Sequence, residues 1–87
     1  MKLDPLSLQL FVSVIEEGTV AAAAARHHIA AAAVSKRISE LEFQLSTQLL
    51  TRSNKGIAPT AAGFALTNMA RGVLYGLDNI VLQMQDF

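Results

Sequence analysis

Residues 19–45, TVAAAAARHHIAAAAVSKRISELEFQL, decide the fold of this chain. Thr19 is a candidate N-cap, because its hydroxyl can accept a hydrogen bond from a free amide of the first helical turn. The run Val20–Arg26 then predicts a short, alanine-rich helix whose small side chains let its neighbours approach closely. Residues 27–29, HHI, interrupt the alanines before helical patterning resumes. The stretch therefore predicts two helices joined by a three-residue turn.

The second of these helices begins near Ala30 or Ala31 and has two distinct faces. One face is an apolar stripe about 60° wide that should meet a core. The stripe consists of Val34, Ile38, Leu41 and Leu45. The opposite side and its shoulder carry small, hydroxylated or cationic residues: Ala32, Ser35, Lys36 and Ser39. Such a face can lie close against a binding partner.

Two further elements flank this stretch. Upstream, Asp4 followed by Pro5 is typical of a helix start, and Gly18 of a helix end, so we expect a helix over 5–17. Its apolar stripe is Leu8, Phe11, Val12 and Ile15. Downstream, short runs at 49–52 and 56–58 are separated by turn-forming residues and predict a small β-hairpin. Pro59 is expected to stop the second strand.

The last segment predicts one long helix. Thr60 caps it, and residues 61–87 contain no proline. Apolar side chains recur there at intervals of three and four, which is close to seven-residue periodicity. The predicted seam consists of Leu66, Met69, Val73, Leu77, Ile80 and Met84. Packing within one small domain is the simpler interpretation, but the length of the helix favours a dimerisation seam.

Composition limits the possible functions. The 87 residues include no cysteine, and their net charge is zero. Neutrality at first argues against nucleic acid as a partner, but residues 26–55 carry five Lys or Arg and only two acids, so the middle of the chain is basic. Residues 1–5 lack the apolar stretch of a signal peptide, and no run of 18 uncharged apolar residues follows. We therefore expect a cytoplasmic protein with no membrane partner.

The order of these elements predicts a mainly α fold. Residues 1–59 would form a winged helix-turn-helix, three helices and a short hairpin wing, and residues 60–87 the long dimerisation or linker helix. In this motif the second helix of the turn enters the major groove of DNA, which is about 12 Å wide and admits one helix. Lys55, at the hairpin tip, could then reach an adjacent minor groove.

An ordered set of residues across nearly the whole chain resembles the N-terminal domain of LysR-type transcriptional regulators. The set is Leu10-Phe11-Val12, Glu16-Glu17-Gly18-Thr19, Ala23-Ala24, Arg26, His28-Ile29, Val34-Ser35-Lys36-Arg37-Ile38, Leu41-Glu42, Leu45, Gln48-Leu49-Leu50, Arg52 and Thr60-Ala61-Ala62-Gly63. The resemblance implies a bacterial regulator that dimerises through the long helix and binds an imperfect palindromic operator. It also implies that the chain is a fragment, that a small-molecule effector would bind only a domain outside it, and that higher oligomers form in the full-length protein. No cofactor, metal or enzymatic activity is implied.

The resemblance also implies which residues contact DNA. These are Ala31, Ala32, Ser35 and Lys36 on the recognition helix and Arg52 and Lys55 in the wing. Arg37, beside Lys36, is a further candidate because of its charge and position. Ala30-Ala31-Ala32 departs from the family, which commonly has Ser-Gln-Pro or Ser-Gln-Ser there. Alanine can touch a thymine methyl but cannot hydrogen-bond to a base. We therefore hypothesise that Ser35, Lys36, backbone contacts and DNA shape contribute more to recognition than in related proteins.

Several of these residues have a second interpretation. Lys36 and Arg37 could be an ordinary solvated pair, and the Arg37 head could reach either a phosphate or an acid. Arg52 could instead be an ion-pair partner that holds the wing. His27 and His28 lack further ligands for a metal, so we expect structural roles for both. Phe43 falls on the exposed side of its helix, where a charged residue is more usual.

Two other classes of function compete with DNA binding. An alanine-rich helical module for protein interaction, without DNA binding, is favoured by the neutral net charge. A hydrolytic or transfer enzyme is disfavoured, because Ser35 has no evident His and acid partners and the seven acids are too scattered to suggest a carboxylate pair.

Overall fold

A computed structural model describes residues 2–87 and contains, within them, four helices and one two-stranded antiparallel sheet. The elements are α1 (Pro5–Glu17), α2 (Val20–His27), α3 (Ala31–Leu45), β1 (Leu50–Ser53), β2 (Gly56–Pro59) and α4 (Ala61–Met84). The predicted mainly α fold with a hairpin wing and a long last helix is confirmed.

Helix α1 lies at the centre of the core. It begins where the Asp4 carboxylate accepts a hydrogen bond from the Leu6 amide at 2.9 Å, and it ends at Gly18, whose φ of +84° is left-handed. Since α2, α3 and α4 all pack on it, its buried surface is wider than the predicted stripe. Leu10 and Val14 are fully buried, whereas Ile15 is only half-buried.

The turn between α2 and α3 occurs one residue later than predicted. The Thr19 hydroxyl caps α2 by accepting from the Ala22 amide at 3.0 Å, and the helix continues through His27. His28 then takes a left-handed conformation with φ of +57°. The turn is therefore formed by residues 28–30.

Helix α3 has the two faces that the sequence predicts. Val34, Ile38 and Leu41 are fully buried and Leu45 is half-buried, so the apolar stripe packs on the core. Its N-cap residue, Ala30, makes no side-chain hydrogen bond. Because no side-chain cap holds the start of α3, the packing of the apolar stripe on the core fixes the position of the helix and of its outward face.

The hairpin and the last helix complete the fold. Leu50 pairs with Pro59, so β2 includes Pro59 and ends there, one residue beyond the predicted run 56–58. An edge position tolerates the missing N–H of proline. The first half of α4 packs against α1, and its second half extends away, which gives the molecule a long axis of 50 Å. Over residues 2–87, none of the helices combines the length and the apolarity that crossing a bilayer requires.

Candidate nucleic-acid interface

The outward face of α3 presents the predicted recognition residues together. Ala31, Ala32, Lys36 and Ser39 lie on this side, where both alanines and Ser39 are exposed. Lys36 has no acid within ion-pair distance among the described residues. The side of α3 opposite the packed stripe therefore carries small side chains and one cation, Lys36, that forms no ion pair within the described residues.

The hairpin lies beside this face. A polar crevice of about 560 Å³ runs between them and is lined by Ser35, Ser39, Glu42, Gln48, Leu50 and Arg52. Arg52 and Lys55 are exposed. Residues 2–87 contain no acid within 4.0 Å of either cation, so the structure does not support Arg52 as an ion-pair partner.

Glu42 joins the hairpin to α3. Its Oε2 accepts hydrogen bonds from the backbone amides of Leu49 at 2.7 Å and Leu50 at 3.4 Å. The residue is half-buried on the shoulder of α3. In the sequence, Glu42 stands out only as one residue of the family pattern. Its role in holding the hairpin is indicated only by its position, because it is an acidic residue beside the apolar stripe of α3 and shortly before the hairpin.

The same end of the hairpin, where the chain enters β1 and leaves β2, is also joined to the start of α4. The Thr60 hydroxyl donates to the Gln48 carbonyl at 2.7 Å and accepts from the Gly63 amide at 3.0 Å, and the Thr60 amide donates to the Leu49 carbonyl at 3.0 Å. A Cβ on Gly63 would lie 2.0 Å from the Leu49 carbonyl oxygen. Only glycine fits this contact.

Arg37 does not lie with the other residues predicted to contact DNA. Its Nη1 donates to Asp4 Oδ2 at 2.6 Å, which joins the flank of α3 to the start of α1. Of the two partners considered for its head, a phosphate or an acid, the structure shows the acid.

A second ionic cluster joins α1, α2 and α4. Glu16 accepts hydrogen bonds from Arg26 at 3.0 Å and from Arg71 at 3.3 Å, and Glu17 lies 3.8 Å from Arg26. The pKa of Glu16 is lowered below its ordinary value, chiefly by the hydrogen bond from Arg26. Desolvation raises the pKa and partly offsets this effect, whereas the hydrogen bond from Arg71 lowers the pKa further. All four side chains are more than a third exposed, so the cluster orients α4 without stabilising the fold strongly.

Replacing Glu16 by Gln is expected to destabilise the chain by less than about 1 kcal/mol near neutral pH. Because the pKa of Glu16 is depressed in the folded chain, its contribution is present above the ordinary carboxyl pKa and is lost as the pH falls. Thermal unfolding at about pH 7 and about pH 3 should show the two proteins converging in acid. Glu17→Gln is the control and should change less; a difference that persists in acid would contradict the assignment.

The histidines and Phe43 are not among the residues that line the crevice between α3 and the hairpin. His27 Nε2 and Ser13 Oγ are 2.6 Å apart, and Ser13 is buried. Within residues 2–87, no cluster of three His, Asp or Glu could hold a metal. Phe43 is 86% exposed, as its position predicted.

The predicted seam on α4 is largely unpartnered within one chain. Met69, Val73, Leu77, Ile80 and Met84 are 43–64% exposed. Leu66 differs from the prediction, since it is only 8% exposed and belongs to the chain's own core where α4 packs on α1. The seam borders an apolar groove of about 370 Å³, lined among others by Leu3, Leu8, Leu45, Leu49, Met69 and Val73.

Comparison with known proteins identifies the family. Residues 6–64 match the family described as "Bacterial regulatory helix-turn-helix protein, lysR family". The chain is 40% identical over 67 residues to the nitrogen assimilation regulatory protein nac of Escherichia coli K12, a match that covers 77% of this chain. It spans only 22% of that relative's length.

Solved structures agree in fold over nearly the whole chain. The DNA-binding domain of CbnR in complex with DNA has a TM-score of 0.89 and 33% identity, with 97% of each chain covered. The DNA-binding domain of BenM in complex with catB site 1 DNA has a TM-score of 0.93 and 30% identity, covering 97% of this chain and 93% of that one. The chain thus belongs to the LysR family of bacterial regulatory helix-turn-helix proteins and has the fold of their DNA-binding domains.

Proposed function

We propose that this chain binds duplex DNA with α3 in the major groove and the hairpin tip in an adjacent minor groove. One observation carries the proposal: Ser35 and Ser39 of α3 and the exposed Arg52 of the hairpin line one crevice. Similar domains have been solved with DNA, which supports the same mode here. Phosphate contacts would hold the chain in register, and base-edge contacts would supply specificity.

The proposed contacts divide into two groups. Lys36, Arg52 and Lys55 are the cations placed to neutralise phosphates or enter a groove. Ala31, Ala32 and Ser35 would lie against base edges, where the alanines offer only apolar contact and the serine one hydroxyl. Recognition therefore depends more on fit and DNA shape than on side-chain hydrogen bonds.

We also propose that two copies associate through the exposed seam of α4. An isolated helix cannot cover this row of apolar side chains, and a second copy of the same helix would do so by knobs-into-holes packing. Two recognition helices related by a two-fold axis would then bind an imperfect palindromic operator. In this scheme residues 1–59 are the DNA-binding unit and residues 60–87 the dimerisation helix.

Replacing Val73 by Glu is expected to weaken self-association at least about tenfold, because a charged carboxylate would have to be buried in the apolar seam. Sedimentation equilibrium at micromolar concentration measures the change. Tyr75→Glu is the matched control, since Tyr75 is exposed on the opposite side of α4. Equal effects of the two substitutions, or a monomeric parent chain, would contradict the proposed seam.

The full-length protein would be a cytoplasmic transcription regulator. The chain covers a small share of its relatives' length, so an effector would bind a part outside residues 1–87 and higher oligomers would assemble through it. The family is one of regulatory proteins, so we propose neither a catalytic step nor a cofactor for this chain.

The salt dependence of DNA binding tests the interface. The parent should bind random-sequence duplex at low salt and weaken steeply as salt rises. Lys36→Ala and Lys55→Ala should each reduce the slope of log K against log salt by about 0.9 for every phosphate that the variant no longer neutralises. Arg71→Gln removes one positive charge from α4, where Arg71 pairs with Glu16 outside the crevice between α3 and the hairpin, and should leave the slope unchanged. A parent without duplex affinity at low salt would favour the protein-interaction module instead.

A further inference from the structure

Arg37 is next to Lys36 on the recognition helix, yet its charge is already matched within the chain. Its Nη1 lies 2.6 Å from Asp4 Oδ2, whereas Lys36 has no acid within 4.0 Å in the described part of the chain. We infer that Asp4 withholds Arg37 from DNA and so lowers the affinity of this chain for non-specific duplex. The inference rests on the proposed DNA binding.

The carboxylate that holds Arg37 is itself fixed in place. Asp4 Oδ1 accepts from the Leu6 amide at 2.9 Å as the N-cap of α1, while Oδ2 accepts from Arg37. Each carboxylate oxygen of Asp4 therefore accepts a hydrogen bond from a different helix, Oδ1 from α1 and Oδ2 from α3. Because the cap fixes the Asp4 rotamer, the pair loses less side-chain entropy than two free side chains would.

The arginine nevertheless stays within reach of solvent. The Arg37 side chain is 37% exposed, and it projects about 100° around α3 from Lys36, on the side of the helix away from Ser35 and the hairpin, where it shares a surface depression with Lys36. A guanidinium at this position could contact a phosphate if it were released. Asp4 and the DNA backbone thus compete for one cation.

The competition lowers the affinity of the chain for duplex DNA of any sequence. Of the five cations in residues 26–55, Arg26 and Arg37 are ion-paired, which leaves Lys36, Arg52 and Lys55 free within the described chain. A phosphate contact carries no sequence information, so adding one strengthens binding to every duplex alike. By withholding this contact, Asp4 weakens the sequence-independent part of DNA binding, which is the part that binding to random-sequence duplex measures.

Asp4→Asn tests the inference, because asparagine caps a helix as well as aspartate but carries no charge. For the 87-residue chain on random-sequence duplex, we expect affinity to rise roughly three- to tenfold at about 0.1 M salt. The slope of log K against log salt should steepen by about 0.9. Asp4→Ser, which also caps, serves if the Asn variant folds poorly, and circular dichroism checks folding.

A double-mutant cycle with Arg37→Gln separates release of Arg37 from a general loss of negative charge. In the parent, Arg37→Gln should leave the slope unchanged; in the Asp4→Asn background it should reduce the slope by about 0.9. Glu40→Gln, which removes an acid from α3 that pairs with no described cation, should not reproduce the Asp4→Asn effect.

Three results would overturn the inference. A slope that falls on Arg37→Gln in the parent would mean that Arg37 already contacts DNA. An equal gain from Asp4→Asn with and without Arg37 would mean general repulsion. If the parent chain bound no duplex at all, both the proposed function and this inference would be wrong. That result is seen with the parent alone, so it can be told apart from a failure of the inference, which appears only in the variants.

Discussion

Gly63→Ala is expected to destabilise the chain by about 3 kcal/mol or more, at the upper end of what overpacking costs. The new Cβ would lie 2.0 Å from the carbonyl oxygen of Leu49 and 3.0 Å from its carbonyl carbon. These are backbone atoms, so no rotamer change relieves the clash. Either α4 or the hairpin must shift, and the hydrogen bonds that join Thr60 to residues 48, 49 and 63 would be strained or broken.

Gly72→Ala, in the same helix, is the matched control for this prediction. A Cβ there meets nothing within 4 Å, so alanine should stabilise α4 by up to about 1 kcal/mol through helix propensity. Thermal or urea unfolding at one protein concentration measures both variants, and for a chain of this size 1 kcal/mol corresponds to roughly 4–8 °C. Destabilisation of similar size in both variants would show that the contact with Leu49 is not the cause.

The helices could be predicted from the sequence because their signals are local. Asp4, Thr19 and Thr60 cap the helices that follow them, and Gly18 ends α1, each through residues within four positions. The buried stripe of α3 follows from the 3.6-residue period alone. Likewise the face that presents Lys36 could be predicted, since it is simply the side opposite that stripe.

Contacts between distant segments could not be predicted in this way. Arg37 meets Asp4 across 33 residues, and Arg71 meets Glu16 across 55. Periodicity shows which side of a helix faces inward but not which neighbour it meets. For the same reason Leu66 has the spacing of the dimer seam, yet it is buried against α1 within its own chain.

Glu42→Ala is expected to destabilise the chain by about 1–3 kcal/mol and to weaken DNA binding as well. The substitution leaves the amides of Leu49 and Leu50 without their carboxylate acceptor, and Leu49 is buried, so its amide would lose a hydrogen bond in a site that water reaches poorly. Urea unfolding measures the loss. Glu42→Gln should recover part of it, because a side-chain carbonyl oxygen can still accept from the Leu49 amide.

Glu40→Ala is the control on the same helix, where an exposed acid without such hydrogen bonds should change stability by no more than about 0.5 kcal/mol. The effect of Glu42 on DNA binding should act through the hairpin, because Glu42 fixes the point where the chain leaves α3 for β1. Lys55→Ala should therefore reduce the salt slope less in the Glu42→Ala background than in the parent. If the two substitutions were additive in binding, Glu42 would stabilise the fold without positioning the wing, and the orientation of the hairpin would have to be set by Thr60 and Gly63 alone.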